Sequence, residues 1–219
     1  MGFDEGKILG LKLDLHVHTC YSSDAFTTLK QVVAYSKKRG LDGVAVTDHN
    51  TVKGALKLKT RDIIVVPGIE VSTLNGHLLG LNVTTSIPAK LGMEETIRLI
   101  HEAGGIAVAP HPTTFYKSPP SRRVSSYDAV EVMNGASVPF PVFTSLSKRF
   151  AAGLGLPQTG GSDSHYAPEI GAAYTVVDAD PGVDEIVCAI KKGATVPMGH
   201  GIPLRIRLGR TALKLKRKL

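Results

Sequence analysis

"LDLHVHTCYSSDA", residues 13–25, reads as a strand whose alternating apolar positions run into two histidines one residue apart. Successive side chains of an extended chain point to opposite faces, so His16 and His18 project to one side and Leu15 and Val17 to the other. Two imidazoles then converge on one spot at the end of a buried strand. Such a pair can be a hydrogen-bonded couple and nothing more. The other reading is a metal site, and the test between them is whether ligand-type residues recur at the same structural position along the chain.

They do recur. The runs "KLDLHVH", "DGVAVTDHN" and "DIIVVPGIE" end in His16 and His18, in Asp48 and His49, and in Glu70. "GIAVAPHP", "YDAVEVMN" and "LPQTGGSDSH" end in His111, in Glu131 and Asn134, and at Asp163 and His165. "VSTLNGHLLGLN" predicts a hairpin turning at Asn75-Gly76, with His77 just beyond the turn. Helices are predicted over "TLKQVVAYSKKRG", "MEETIRLIHEAG", "FTSLSKRFAAG" and "VDEIVCAIKKG", the first stopped by Gly40 and the second by Gly104. Near-continuous apolar strands alternating with helices imply a parallel α/β architecture, and about seven such units favour a closed or nearly closed barrel. The C-terminal strand ends of a β/α barrel build its active face, and six of the eight histidines fall there. His101, in mid-helix, and His200 read as surface residues.

Six histidines with several carboxylates exceed the needs of one ion, since a catalytic zinc takes about three protein ligands. Two or three divalent ions are implied, and imidazole and carboxylate without thiolate suit zinc, manganese or iron. Cys20 reads as a packing residue.

The segments "DLHVHTCYSSDA", "TDHNTVKG", "PGIEVST", "GH", "PHP" and "GSDSH", in this order over residues 12–177, resemble the successive motifs of PHP-domain (polymerase and histidinol phosphatase) proteins. The resemblance implies a distorted seven-stranded β/α barrel, a trinuclear metal centre and phosphoesterase activity through a metal-activated hydroxide. It implies that His16, His18, Glu70 and Asp163 hold one metal, that Glu70 bridges to a second held by His77 and His111, and that Asp24, His49 and His165 hold a third. Asp48 and His165 are the candidate catalytic residues, Asp48 as an acid that orients a ligand without binding metal. It also implies a PHP-associated segment over about residues 169–200, within a single domain spanning 1–200.

Length fits one domain with a real core. At 42% hydrophobic and 21% charged residues the composition is that of an ordinary globular protein. No apolar run is long enough to cross a membrane. The start "MGFDEGKILG" lacks the features of a secretory leader, and two cysteines, Cys20 and Cys188, cannot make a disulfide scaffold, so a reduced cytoplasmic chain is expected. The net charge of +7 resides in residues 201–219, "GIPLRIRLGRTALKLKRKL", with seven Lys or Arg and no acid; the other 19 basic residues match the 19 acidic ones. In this basic tail "PLRIRL" alternates like an edge strand, with Leu204, Ile206 and Leu208 on one face.

Lys117, Arg122 and Arg123, in the irregular loop of residues 112–126, are candidates for binding a substrate phosphate. The partner expected is a phosphorylated small molecule or nucleotide. A nuclease using the basic tail, and a non-catalytic metal-binding module, stand as alternatives. Amidohydrolase-type hydrolysis also starts from H-x-H on a barrel, but no lysine stands at a strand end to bridge metals.

Overall fold

β1 (Leu11–Val17), β2 (Gly43–Val46) and β3 (Ile64–Thr73) pair in parallel in the computed structural model, which describes residues 10–121, 124 and 126–217. Their connections are α1 (Leu29–Lys38) and a short α2 (Lys53–Lys57). α1 starts where the sequence allows it: Gln31 N donates to Thr28 Oγ1, and Thr28 N donates back to Gln31 Oε1. It stops at Gly40, whose φ of 65° is left-handed.

β3 turns back into β4 (Gly76–Leu81), which pairs antiparallel with both β3 and β5 (Ile106–Ala109). Thr73 pairs with Gly76, so the hairpin turns over Leu74 and Asn75, one residue earlier than predicted. Gly76 has a φ of 109°, and a Cβ there would sit 2.1 Å from Pro119 O, so only glycine fits. α3 (Met93–Glu102) connects β4 to β5, with Glu94 and Glu95 in its first turn and His101 in its last, both suited to the helix dipole. β6 (Ala129–Asn134), α4 (Phe140–Leu154) and β7 (Gln158–Gly161) continue the parallel winding. β8 (Ala173–Val177) and β9 (Thr195–Gly199) pair antiparallel across the connecting helix α5 (Val183–Lys192), and α6 (Leu204–Lys216) follows.

Among the described residues the sheet holds nine strands, in the order β7-β6-β5-β4-β3-β2-β1-β8-β9. The expected seven-stranded, mainly parallel barrel is corrected on two points. β8 and β9 extend the sheet on the outer side of β1, and four of the eight pairings are antiparallel, of which the hairpin read from the sequence accounts only for β3–β4. The barrel nearly closes where β7 meets β1: Ser162 N donates to Asp14 Oδ1 at 2.8 Å, and His18 N donates to Ser164 O at 2.9 Å. Thr175 Oγ1 ties β8 to β7 by accepting from Gly160 N at 2.8 Å.

One register irregularity interrupts β1 where it approaches the site. The β1–β2 pairing shifts between Asp14 and Val17. Leu13 and Leu15 share the inner cluster, as alternation requires, while Val17 packs outward with Val32 of α1, so the alternation read from the sequence is broken between Leu15 and Val17. His16, within that break, and His18, just beyond it, are fully buried.

The inner cluster gathers Leu13, Ala45, Val66, Ile106 and Ala129 from the strand beginnings, and Ile186, Val187 and Ile190 of α5 plug this end. α3 and α4 cover the outer faces of β3–β6, and α1 and α2 those of β1 and β2. The predicted edge strand at "PLRIRL" is a helix instead. Leu204, Leu208 and Leu215 repeat at helical spacing, and the short alternating window of three apolar residues hides that longer period. No helix among the described residues is long and apolar enough to cross a membrane.

Candidate metal centre

Glu70, near the end of β3, is the geometric centre of a cluster at the C-terminal end of the barrel. Its Oε2 lies 3.4, 3.2 and 3.1 Å from His16 Nε2, His18 Nε2 and His49 Nδ1. Its Oε1 lies 3.0 and 3.2 Å from His77 Nδ1 and His111 Nε2. One buried carboxylate thus faces two groups of imidazoles. Asp163 Oδ1 stands 3.7, 3.5 and 3.5 Å from His16 Nε2, His18 Nε2 and His165 Nδ1. Asp24 Oδ2 stands 3.1 Å from His165 Nε2 and 3.7 Å from His49 Nε2.

All nine residues expected to ligate metal therefore meet at one end of the barrel. Three triples, His16–His18–Glu70, His49–Glu70–His77 and His18–His49–His165, each bring ligand atoms within 4.8 Å of one another. Lys117 also reaches the cluster, its Nζ in contact with Asp163 Oδ2. Arg122 and Arg123 lie outside the described residues. Cys20, expected to pack, is exposed, and both cysteines are free.

The surrounding hydrogen bonds prepare the imidazoles to receive a cation. A carboxylate only accepts, so His16 Nδ1 donates to Glu131 Oε1 at 3.0 Å and leaves the Nε2 lone pair facing inward. Ser22 Oγ donates to Asp48 Oδ1 at 3.0 Å, so the 3.3 Å contact from His18 Nδ1 makes that nitrogen the donor and again frees Nε2. His165 Nδ1 lies 3.1 Å from the carbonyl of Asp163, with the same consequence. The Nε2 atoms of His16 and His18 then face each other at 3.1 Å, which two lone pairs cannot do unless a positive charge lies between or on them. His111 Nδ1 and His49 Nδ1 are buried without a hydrogen bond, the latter close to Glu70 but out of line with it.

Titration reflects the same demand. Burial disfavours charge on His16 and His18, yet their carboxylate neighbours outweigh it, lifting His16 well above the usual histidine range and His18 to about 9. Burial works equally against ionised Glu70 and Asp163, and there the imidazoles and Lys117 outweigh it and hold both well below the carboxylate range. Burial leads for His49, pushed down to about 4 with help from the neighbouring His18 and His165, and burial together with Lys117 lowers His111 as well. The donor set, nitrogen and oxygen without sulfur, fits hard to borderline divalent cations.

Backbone strain marks two of these residues. His111 and Asp163 have φ of 35° and 53°, in the region that disfavours side chains bearing a Cβ. His111 N donates to Glu131 Oε2 at 2.9 Å, which helps to hold the conformation.

Asp48 is buried beside the cluster rather than in it. It accepts from Thr19 N at 2.6 Å and Thr19 Oγ1 at 2.7 Å as well as from Ser22. Sequence reasoning does not assign the supporting residues. Glu131 and Asn134 are visible as polar residues at a strand end, and Asn134 Nδ2 donates to both Glu131 Oε2 and Asp163 Oδ2, at 2.8 and 3.1 Å. Thr19 and Ser22 carry no signal of their own in "HTCYSS".

A barrel that gathers imidazoles around a shared buried carboxylate at its C-terminal strand ends has the donor arrangement of a metal-binding β/α barrel. The PHP-domain profile matches residues 14–131 and the PHP-associated profile residues 144–195; the chain belongs to the PHP family. Over 116 residues it is 39% identical to an uncharacterized protein of Methanocaldococcus jannaschii, covering 47% of this chain and 68% of that one. Over 86 residues it is 40% identical to the phosphoribosyl 1,2-cyclic phosphate 1,2-diphosphodiesterase of Eggerthella lenta, covering 35% of this chain and 32% of that enzyme. Its fold superposes with a TM-score of 0.70 and 17% identity on a two-domain protein of Bacteroides vulgatus containing a predicted PHP-like metal-dependent phosphoesterase, covering 88% of this chain and 65% of that one. This chain thus spans just under two thirds of that solved structure.

Proposed function

We propose that this protein is a metal-dependent phosphoesterase acting on a phosphate mono- or diester of a small molecule or nucleotide. The observation that carries the proposal is Glu70, whose two oxygens face separate imidazole groups, His16, His18 and His49 on one side and His77 and His111 on the other. Two or three divalent ions of zinc, manganese or iron would be held by His16, His18, Glu70 and Asp163, by Glu70, His77 and His111, and by Asp24, His49 and His165. When bound, such ions polarise a phosphoryl oxygen and lower the pKa of a water toward ~7.

The chain's own residues do the positioning. Glu131, Ser22 and the Asp163 carbonyl fix imidazole tautomers, and Asp48 holds the β1–α1 loop by gripping Thr19 and Ser22. Lys117 stays charged: burial opposes its charge, and Asp163 outweighs burial. From the cleft wall it can exchange Asp163 for a substrate phosphoryl oxygen. His165, which lines the cleft with a small part of its ring exposed, is placed to meet a leaving group. The cleft of about 240 Å³ is small beside the ~300–1,000 Å³ of ligand pockets, which suits a phosphoryl group held inside with the rest of the ester outside. The diesterase activity named for the Eggerthella lenta relative supports phosphate-ester chemistry.

The test is elemental analysis of protein reconstituted with manganese or zinc, followed by hydrolysis of an aryl phosphate, its diester and nucleotides. Two to three ions per chain and metal-dependent release of phosphate are expected. Less than one ion per chain, or hydrolysis unaffected by chelation, overturns the proposal.

A further inference from the structure

α6 has two unlike faces. Inward, Ile206 packs on Ala136, Ala172 and Ile202. Arg207 donates to the carbonyls of Ile202, Ala136 and Gly135 at 2.8, 3.0 and 3.1 Å. Arg210 Nη1 reaches Glu169 Oε2 at 3.3 Å, and Arg217 Nη1 donates to Ser23 O at 2.9 Å. These partners belong to the loops after β6, β7 and β1, so the helix lies across the end of the barrel that carries the metal cluster.

Outward, Leu204, Leu208 and Leu215 are 71%, 60% and 61% exposed. At about 100° per residue they fall within one narrow stripe of about 40°. Arg205 and Lys216 flank the stripe on one side and Lys214 on the other, all three exposed. Residues 201–219 contain no acid, while the rest of the chain is balanced in charge. Scattered exposed leucines need no explanation; three in line between cations do.

We propose that α6 is an interfacial helix that docks the protein on an anionic lipid surface. Leu204, Leu208 and Leu215 enter the acyl boundary, while Arg205, Lys214 and Lys216 stand at the level of the lipid phosphates. Charge complementarity selects an anionic occupant, and the leucine stripe selects lipid over nucleic acid. A polynucleotide would use the cations and leave the leucines in water, whereas a bilayer interface uses both. Thirteen residues in α6 make a helix of about 20 Å, which lies on a bilayer rather than across it. Docking of this kind turns the cluster-bearing end of the barrel toward the surface. The proposal does not depend on the phosphoesterase reading.

The test is cosedimentation of the full chain with vesicles of phosphatidylcholine alone and of phosphatidylcholine with phosphatidylglycerol. Wild type is expected to pellet with the anionic vesicles and to bind neutral ones at least about tenfold more weakly. A triple variant, Leu204→Gln, Leu208→Gln and Leu215→Gln, is expected to lose at least about tenfold in binding to anionic vesicles at unchanged Tm. Absence of wild-type binding to anionic vesicles overturns the proposal, as does a triple variant that binds them as well as wild type. Tight binding to a single-stranded oligonucleotide, unaffected by the three changes and without vesicle binding, assigns the face to nucleic acid instead. A leucine-dependent dimer in light scattering, again without vesicle binding, assigns it to a second copy of the chain.

Discussion

At one end of the barrel α5 presses Ile186, Val187 and Ile190 onto the strand beginnings; at the other, six imidazoles and three carboxylates fill the same bore. The apolar end is held by area removed from water, ~1.5–3 kcal/mol for each large aliphatic side chain, with little dependence on pH or ions. The polar end is held only if its charges balance. Glu70 and Asp163 stay ionised because His16 and His18 carry protons or because cations take their place. The same cylinder thus has one end that stabilises the fold by itself and one whose stability is conditional on its occupant.

The largest expected effect is at the polar end. Glu70→Ala removes the carboxylate shared by both imidazole groups, so metal content should fall further than in His165→Ala, which touches one edge of the cluster. Hydrolysis should drop by at least about a thousandfold, since the centre that would polarise the ester is dismantled. Equal metal losses in the two variants, measured by elemental analysis, would contradict a bridging role for Glu70.

The matching change at the apolar end is Ile190→Ala. Ile190 is fully buried, and its truncation should cost ~2–5 kcal/mol by urea denaturation. Metal content should not change. A variant that loses metal along with stability would show that the two ends are coupled, and the contrast between them would fail.

Those two ends are also unequally legible in the sequence. The polar residues announce themselves: His16, His49, Glu70, His111 and Asp163 each close an apolar run, and a barrel brings such ends together. The register shift between Asp14 and Val17 leaves no signal in "DLHV", because it is a matter of pairing geometry with β2 and not of residue type. β9 is not legible, since "ATVPMGH" carries a proline and little apolar pattern. α6 reads as an edge strand because three alternating residues outweigh a helical period that needs a longer window to show. Glu131 is visible at its strand end, but its role as the partner of His16 depends on a contact across 115 positions.

Acidity should separate the two ends without any mutation. Without metal, the His18 imidazole titrates at about 9 in the folded state against about 6.5 unfolded, so its contribution is complete below about 6.5 and is lost as pH rises toward 9. His49 shifts the other way, to about 4, so its contribution is lost as pH falls from about 6.5 toward 4. The chelated protein should therefore be most stable near pH 6.5, with a decline of up to about 3 kcal/mol toward pH 9. Added manganese or zinc should reverse the alkaline limb, because metal binding is favoured once the imidazoles lose their protons. A chelated protein whose Tm rises between pH 6.5 and 9 would rule out protonated His18 as the stand-in for metal.

The smallest effect is expected at Asp48, which touches no imidazole. Its Oδ1 receives Thr19 N and the Ser22 hydroxyl, and its Oδ2 receives the Thr19 hydroxyl. In Asp48→Asn the carboxamide could keep its carbonyl where Oδ1 stands and turn its amide toward Thr19 Oγ1, which can accept, so the variant should fold and retain its metal. What it loses is the charge that draws the Ser22 proton. Ser22 then accepts less strongly from His18 Nδ1, and the tautomer with a free Nε2 is less firmly fixed. Changes of this kind typically cost ~10–100-fold in activity or metal affinity. Slow hydrolysis at normal metal content and near-normal Tm is the expected outcome. A folded but metal-free Asp48→Asn protein would mean that the Asp48 carboxylate ligates metal directly, and the boundary between residues that hold the ions and residues that aim their ligands would have to move.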